Sequence, residues 1–271
     1  MPEGDAIFRT ARTLHRALAG REVVRFESVF PKLNRVHDDA PITGRVVESV
    51  TAAGKHVLMR FSGGLMLRTH MRMNGSWHVY RPGERWRRPR RDMRIVVATV
   101  EYEAIGFDIP IAEFLAGRAA ARQADLRDMG PDLLGESFDE DEAVRRIRVH
   151  GDQEIADVLL NQRVVAGIGN IYKCETLFLC GVNPFARAAG VTDETLRQLV
   201  RTARKYLQAN AAKRSGGIVT YRGFRRERGD GARHYAYGRA GRPCRTCGAP
   251  IRLATQGPHA RLTYWCPTCQ P

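Results

Sequence analysis

Hydrophobic and polar residues follow two different periods along the chain. Between residues 22 and 108, short β-branched and aromatic runs are separated by Gly, Pro and Asp, which is typical of antiparallel strands. Such strands at short, regular spacing predict a sandwich or a barrel. The predicted strands are Val23–Phe30, Val46–Val50, His56–Phe61, Leu65–His70, Ser76–Tyr80, Met93–Ala98 and Tyr102–Phe107.

Helical periodicity precedes and follows this region. Residues 5–19 place apolar side chains on one helical face, and Asp5 is the expected cap. After residue 132 the pattern becomes helical, and residues 214–233, rich in Gly and Arg, are predicted to form a mobile loop. The predicted helices of this second part lie near 139–149, after a cap at Asp152, from Asn170 to Cys180, and after a cap at Thr192.

The charge balance indicates a polyanionic partner. The 271 residues include 44 Lys and Arg against 29 Asp and Glu, a formal net charge of +15. Arginine suits phosphate because its planar fork donates two hydrogen bonds at once. Two clusters argue against evenly scattered surface charge, and a membrane surface is a weaker alternative because neither cluster follows an amphipathic helix. The clusters are Arg81, Arg85, Arg87, Arg88, Arg90, Arg91 and Arg94, and Arg222, Arg225, Arg226, Arg228 and Arg233.

No targeting or membrane segment is predicted. The chain has no run of eighteen apolar residues, and its N-terminus lacks the apolar stretch of a secretory signal. We therefore expect no membrane partner and a location in the bacterial cytoplasm or nucleoid. In that reducing compartment the six cysteines are predicted to be metal ligands or buried thiols, and Cys174 and Cys180 to be core thiols.

The last thirty residues contain two Cys-x-x-Cys pairs. Cys244 and Cys247 are separated by eighteen residues from Cys266 and Cys269, a spacing typical of a zinc ribbon. Four thiolates would close a tetrahedral coordination sphere, so one structural Zn²⁺ is predicted. A redox dithiol and four free cysteines are the alternatives.

The first residues carry candidate chemistry. Removal of Met1 would leave Pro2 with a secondary amine at the terminus, and such an amine attacks an aldehyde carbon to form an iminium ion. Glu3 lies beside it as a candidate acid or base. On these residues alone, an ordinary solvated N-terminus is the favoured reading, because short motifs match by chance.

Four separated segments together resemble the formamidopyrimidine-DNA glycosylase/endonuclease VIII family of base-excision repair enzymes. They span both ends and the middle of the chain. The segments are Met1-Pro2-Glu3-Gly4-Asp5, Gly54-Lys55-His56, Val165-Ala166-Gly167-Ile168-Gly169-Asn170-Ile171-Tyr172, and the ribbon from Arg261 to Gln270.

The resemblance implies an α+β multidomain fold. We expect an N-terminal β-sandwich with flanking helices over 1–130, which would be the catalytic domain. A helix–two-turn–helix DNA-binding domain with a lesion-side loop would follow over 131–235, and a zinc-ribbon hairpin over 236–271.

The resemblance also implies roles for single residues. Pro2 would be the nucleophile at C1′ of a damaged nucleotide, Glu3 would protonate the sugar oxygen, and Lys55 would assist catalysis. Asn170 and Arg261 would bind the phosphate beside the nucleotide, which must leave the base stack before C1′ is reachable. Taken singly, each residue is better explained without catalysis, Lys55 as a solvated lysine at a strand end and Asn170 as a helix-capping or turn residue after Gly169.

The segment Thr69–Trp77 is similar to the family's void-filling loop. Its expected DNA-binding residues are His70, Arg72, Met73 and Asn74. Met73 suits the role because it is apolar and flexible. Burial of Met71, and less readily of Met73, in the sandwich core is the competing interpretation.

Two departures favour the endonuclease VIII branch. The chain opens Pro-Glu-Gly where the purine-excising branch has Pro-Glu-Leu, and 107–111 lacks that branch's paired Arg followed by Phe-Gly. The prediction is a monomeric glycosylase and abasic-site lyase acting on oxidised pyrimidines in damaged DNA. The alternatives are an oxidised-purine glycosylase of the same family, a non-catalytic binder of damaged DNA, and an RNA-associated zinc-ribbon protein.

Overall fold

A computed structural model describes residues 2–116, 128–213, 220 and 233–271 of the chain. The chain divides into two compact units, Met1–Asp128 and Met129–Pro271. The predicted loop at 214–233 lies outside the described residues except for Thr220 and Arg233. The further division at residue 235 stays a prediction.

The N-terminal unit is built on two four-stranded antiparallel sheets, with strand orders β1-β6-β7-β5 and β2-β3-β4-β8. Both sheets and the first helix contribute to one apolar core, which includes Ile7, Met59, Phe61 and Ile95. The predicted N-terminal β-sandwich is therefore confirmed. Its elements are α1 (Gly4–Leu18), β1 (Arg25–Ser28), α2 (Pro31–Asp39), β2 (Val47–Ala53), β3 (His56–Phe61), β4 (Leu65–His70), β5 (Ser76–Tyr80), β6 (Met93–Ala98), β7 (Glu103–Phe107) and β8 (Ile111–Ala116).

The C-terminal unit is helical and ends in a two-stranded hairpin. Its helices share a second core that includes Ile155, Ile168, Tyr172 and Leu199. Cys244 and Cys266 belong to a smaller cluster with Phe178 of the fifth helix. The elements are α3 (Glu140–Val149), α4 (Ile155–Leu160), α5 (Asn170–Leu179), α6 (Asp193–Ala211), β9 (Arg252–Gln256) and β10 (Arg261–Trp265).

Two predicted caps are wrong. The residue before α1 is Glu3, and Asp5 instead turns inward, fully buried, to accept a 2.7 Å hydrogen bond from Arg9. The residue before α4 is Glu154 and not Asp152. Thr192 does cap its helix by accepting from Thr195 N at 3.2 Å.

Two elements were missed by the sequence pattern. The helix α2 begins with Pro31 at its first position, and Leu33 is its one fully buried residue, so its apolar periodicity is weak. The strand β8 was not anticipated, although it completes the second sheet by pairing with β4. Within the described residues, no helix is both long and apolar enough to span a bilayer.

Candidate active site and four-cysteine site

The N-terminal end of α1 holds Pro2 and Glu3. Glu3 is 2% exposed, and its carbonyl oxygen accepts hydrogen bonds from Ala6 N and Ile7 N at 2.9 and 3.1 Å. Its carboxylate does not cap the helix. Pro2 is half-buried immediately before the first turn. The positive end of the helix dipole disfavours a nearby cation, so this position favours the neutral, nucleophilic form of a terminal amine.

The packing of α1 against β2 places the start of the helix at the same end of the sandwich as the β2–β3 turn. Gly20 N donates to Val47 O at 2.8 Å and Val50 N donates to His15 Nδ1 at 3.1 Å, so α1 runs antiparallel to β2. From His15 back to Gly4 the helix rises about 16 Å at ~1.5 Å per residue. From Val50 to Ala53, the last residue of β2, the strand advances about 10 Å at ~3.3 Å per residue, and the turn of Gly54 and Lys55 lies beyond that strand end. The start of α1 and Lys55 therefore lie at one end of the sandwich.

The β2–β3 turn presents Lys55 to the end of β4. The turn consists of Gly54, which adopts a positive φ of 54°, and Lys55, which is 7% exposed. His56 pairs with His70 across β3 and β4, and their rings pack edge-on with centroids 4.9 Å apart. Burial, followed by the positive charges of Lys55, Arg72 and Arg68, lowers the pKa of His70. His70 is therefore a neutral imidazole at physiological pH.

The residues from Met71 to Gly75 form a closed loop between β4 and β5. Gly75 N donates to Met71 O at 2.9 Å, and a Cβ on Gly75 would lie 2.5 Å from that oxygen, so only glycine fits. Arg72 has a positive φ of 46°, and its N donates to His70 Nδ1 at 3.0 Å. Met71 is 2% exposed and Met73 is 61% exposed. The competing core position applies to Met71 alone.

A cavity of about 460 Å³ lies beside this loop. Its far wall is the β7–β8 turn, where Asp108 has a positive φ of 46° and is bonded to Arg88. The exposed side chains of the loop thus border a space that mixes charged and apolar groups. The lining residues are Met71, Arg72, Met73, Asn74, Arg94, Asp108, Ile109 and Pro110.

In the C-terminal unit, Asn170 is the first residue of α5. The preceding turn, 165–169, is held by Gln162, whose side chain accepts from Gly167 N and donates to Ile168 O, both at 3.0 Å. Asn170 Nδ2 donates to Leu262 O at 2.8 Å. One further N–H of the amide remains for another acceptor.

Arg261 begins β10 directly after the hairpin tip. The preceding residue, Ala260, has a positive φ of 48° and donates its N–H to Gly257 O at 3.1 Å. Arg261 is half-buried, its backbone pairs with Gln256 of β9, and its side chain makes no hydrogen bond or ion pair with the described residues. Because its neighbour Leu262 is bonded to Asn170, the structure brings the two predicted phosphate ligands into adjacent positions.

A buried hydrogen-bond chain continues from this contact. Lys173 is fully buried and its Nζ donates to Thr263 Oγ1 at 2.7 Å. Thr263 donates to Gln256 Oε1 at 2.7 Å, and Gln256 Nε2 donates to Glu154 Oε2 at 2.7 Å. The first turn of α5 is thereby tied to both hairpin strands.

Glu175, also on α5, is a second buried charge that sequence reasoning missed. One oxygen accepts from Ala236 N and Tyr237 N and the other from Tyr235 N, each at 2.8 Å. The hydroxyl of Thr220 bonds the second oxygen as well. The available signal was a pair of opposite charges, Lys173 and Glu175, in a helix whose other residues are uncharged.

The four ribbon cysteines converge as their spacing predicted. Their Sγ atoms all lie within 4.8 Å of one another, including Cys244 to Cys269 at 3.8 Å and Cys247 to Cys266 at 3.4 Å. A tetrahedral ion with bonds of ~2.3 Å to sulfur separates its ligands by about 3.8 Å. The backbone N–H of Ala249 is the largest cause that lowers the pKa of Cys247, to about 7. The donor set and spacing fit a metal ion of the zinc type.

Two family descriptions match the chain. The formamidopyrimidine-DNA glycosylase N-terminal domain matches residues 1–130, and the formamidopyrimidine-DNA glycosylase H2TH domain matches residues 129–222. The chain belongs to the formamidopyrimidine-DNA glycosylase family. The resemblance found in the sequence is confirmed.

Relatives and solved structures agree over the whole chain. A protein named probable endonuclease 8 2 from Streptomyces coelicolor is 40% identical and covers 100% of this chain and 94% of its own length. A protein of Mycolicibacterium smegmatis named DNA-(apurinic or apyrimidinic site) lyase Nei2 is 38% identical and covers 100% and 99%. The crystal structure of Lactococcus lactis formamidopyrimidine-DNA glycosylase bound to abasic-site DNA has a TM-score of 0.82 at 21% identity, with 99% of both chains covered. That structure confirms the fold.

Proposed function

We propose that the protein is a bifunctional DNA glycosylase and abasic-site lyase with Pro2 as its nucleophile. The observation that carries the proposal is that Pro2 and the buried Glu3, at the start of α1, lie at the same end of the sandwich as Lys55. This is an amine nucleophile beside a carboxyl group that can move protons. The names of the two relatives support the assignment.

The reaction follows from the chemistry of a secondary amine. After loss of Met1, the nitrogen of Pro2 attacks C1′ of the nucleotide, the bond to the base breaks, and the base leaves with its electron pair and a proton. Glu3 delivers a proton to the sugar ring oxygen as the ring opens to an iminium ion. The iminium withdraws electrons and acidifies the 2′ proton. A proton acceptor then removes that proton, and the 3′ phosphate leaves with the C3′–O bonding electrons.

A terminal amine is suited to this step. Its pKa is near ~8 in model peptides, against ~10.4 for lysine, so more of it is neutral at physiological pH. Lys55, close enough to depress the pKa of His70, adds positive charge that suits a phosphate group.

Asn170 and Arg261 would hold the phosphate next to the everted nucleotide. Their support is the 2.8 Å hydrogen bond from Asn170 to Leu262, which fixes the helix end and the hairpin to each other. His70, Arg72, Met73 and Asn74 would fill or border the gap left in the duplex, since Met73 is an exposed apolar side chain on a constrained loop. One structural zinc ion held by Cys244, Cys247, Cys266 and Cys269 would stabilise the hairpin.

Oxidised pyrimidines are the proposed lesions. The β7–β8 turn carries Asp108, Ile109 and Pro110 in place of an arginine and aromatic wedge, and the opening is Pro-Glu-Gly. A panel of duplexes with single oxidised pyrimidines, single oxidised purines or an abasic site ranks the substrates. Faster single-turnover excision of an oxidised purine than of any oxidised pyrimidine would refute this choice while leaving the lyase intact.

The nucleophile is tested by borohydride trapping on an abasic duplex. The expected result is a covalent protein–DNA adduct, in which peptide mapping locates the attached DNA at Pro2. The variant Pro2→Gly and a variant that retains Met1 should both lose trapping and strand cleavage. Mass spectrometry of the N-terminus identifies the mature residue. Wild-type trapping in either variant would refute the role of Pro2, and binding without any cleavage would favour the non-catalytic alternative.

A further inference from the structure

The loop between β5 and β6, Arg81–Asp92, carries more charge than the proposed chemistry uses. We call it the arginine loop. It contains six arginines and two acidic residues, Glu84 and Asp92, a formal charge of 6 − 2 = +4. Mutual repulsion disfavours such a cluster unless it meets negative charge.

The loop has a fixed conformation. Arg81 N donates to Glu84 Oε2, Glu84 N donates to Arg81 O and Arg87 N donates to the hydroxyl of Tyr80, all at 3.0 Å. Asp92 N donates to Pro89 O at 3.1 Å. Its backbone is therefore pinned at both ends and in the middle.

Aromatic packing supports the same conformation. The Trp86 ring packs edge-on against Phe107, with centroids 5.8 Å apart. The exposed guanidinium of Arg90 lies 5.6 Å from the centroid of the Trp86 ring, a contact too weak to hold the loop by itself. The half-buried Trp86 thus attaches the centre of the loop to the sheet. A pre-organised surface binds with less loss of conformational entropy than a disordered one.

Two of the six arginines serve the fold. Arg88 is bonded to Asp92 at 3.1 Å and to Asp108. Arg81 lies over the Tyr102 ring at 4.3 Å. Their substitution would disturb the loop itself, so they do not test a role in binding.

The other four arginines face solvent. Arg85 and Arg87 are exposed, and their side chains have no hydrogen bond or ion pair with the described residues. The side chain of Arg90 is 71% exposed with Glu27 at 3.4 Å, and that of Arg91 is 85% exposed with Asp92 at 3.9 Å. Such exposed pairs are worth little and are displaced by a stronger anion.

The arginine loop is connected to the cavity that Met73 lines. Asp108, which Arg88 holds, and Arg94, two residues after the loop, both line the cavity beside the loop of Met73. A duplex whose gap meets Met73 would extend its backbone along this edge of the sandwich. The exposed arginine side chains of the arginine loop are charged, which favours phosphates as their partner over an apolar protein surface or the interior of a membrane.

We propose that Arg85, Arg87, Arg90 and Arg91 form a second DNA-binding surface, which contacts the phosphates of the duplex flanking the lesion. This inference rests on the proposed function, since it takes DNA as the partner, but it concerns residues outside the chemistry. The surface contributes affinity that does not depend on the lesion, and each phosphate contact adds about 0.9 to the slope of log K against log salt.

The test is a fourfold variant, Arg85→Gln, Arg87→Gln, Arg90→Gln and Arg91→Gln, measured on an undamaged duplex by fluorescence anisotropy across a KCl series. The magnitude of the salt slope should fall by ~2 to ~3.6. Affinity at low salt should fall at least ~10-fold. Single-turnover cleavage of an abasic duplex at saturating enzyme should keep the wild-type rate, because no altered residue belongs to the proposed chemistry.

The matched control removes the same charge elsewhere on the N-terminal unit. Arg16, Lys32, Arg35 and Arg60 are exposed and have no side-chain hydrogen bond or ion pair with the described residues. Their fourfold change to Gln should lower the slope less than the loop variant does. Equal slopes for the two variants, or a wild-type slope in the loop variant, would overturn the proposal. A failure of abasic cleavage in the wild-type protein would refute the proposed function alone.

Discussion

The buried carboxylate of Glu175 offers the sharpest test of how the C-terminal unit is held together. It accepts hydrogen bonds from the backbone N–H groups of Tyr235, Ala236 and Tyr237, each at 2.8 Å, and from Thr220. Glu175 is fully buried. The substitution Glu175→Ala removes both carboxylate oxygens, and with them all of these hydrogen bonds, at once.

The expected loss is large because buried donors without acceptors are costly. Each costs ~1 to ~3 kcal/mol, so three would cost ~3 to ~9 kcal/mol, and water entering the vacated space offsets part of this. After this offset we expect the free energy of unfolding to fall by ~3 kcal/mol. In a unit of this size that corresponds to a fall of ~10 °C in Tm.

The near-isosteric Glu175→Gln should fall between the wild type and Glu175→Ala. Its amide oxygen still accepts from one pair of donors, and its NH₂ group can donate to the hydroxyl of Thr220, which can turn to donate to Arg233 O instead. The N–H of Tyr235 alone then faces another donor. The order of Tm values is expected to be wild type, Gln, then Ala.

Thermal and urea unfolding followed by circular dichroism measure these differences. Glu142→Ala is the control, since Glu142 also accepts several hydrogen bonds, from Arg145 and Arg146, but at the solvent-exposed end of α3. Those arginines lower the pKa of Glu142 to about 2, yet solvent screening keeps the effect on stability small. If the Tm of Glu175→Ala lies within ~2 °C of the wild-type value, the hydrogen bonds to Glu175 do not stabilise the fold to the extent calculated.

Three further outcomes are expected. Arg261→Ala should weaken binding to an abasic-analogue duplex by ~10- to ~100-fold, as loss of a charged hydrogen bond predicts, and should leave Tm unchanged. The control is Arg252→Ala, at an exposed position on the paired strand β9. Equal losses of affinity in the two variants would exclude a specific role for Arg261. The pKa of His70 should lie below the ordinary ~6.5, because burial and then the charge of Lys55 lower it. The neutral form therefore adds stability that is present above pH ~6.5 and is lost as the pH falls through the folded-state pKa. An NMR titration midpoint at or above ~6.5 would contradict this. Removal of the metal by a chelator should release about one zinc ion per chain and lower Tm, whereas full activity and an unchanged Tm in verified zinc-free protein would exclude a structural ion.

The sequence predicted those strands whose apolar runs are clearly bounded by turn residues. The strands β3, β4, β5 and β6 have the predicted bounds. Gly54 and the pair Gly63 and Gly64 separate β2, β3 and β4, and Gly75 separates β4 from β5. Where such punctuation is missing, the boundaries shift: the run from Val23 continues without a break to Phe30, although only Arg25–Ser28 pairs with β6.

The errors occurred where tertiary contacts override a local preference. Asp5 has the residue type of a helix cap, but the buried Arg9 contact draws it inward and burial raises the pKa of its carboxyl group. Glu3 takes the capping position without using its side chain. The contact with Arg9 is itself local, at i+4, but the full burial of Asp5 depends on the packing of α1 in the sandwich, which local rules do not predict.

The sequence placed the candidate ligands on the chain but could not show how they are joined. Asn170 and Leu262 are 92 residues apart and share one hydrogen bond, and Lys173 reaches Thr263 one residue further along the same strand. Both contacts end on β10, which leads directly to Cys266. A metal ion that fixes Cys266 would thereby stabilise the first turn of α5 as well as Arg261. The cysteine site and Asn170 are consequently expected to lose function together, although no motif in the sequence links them.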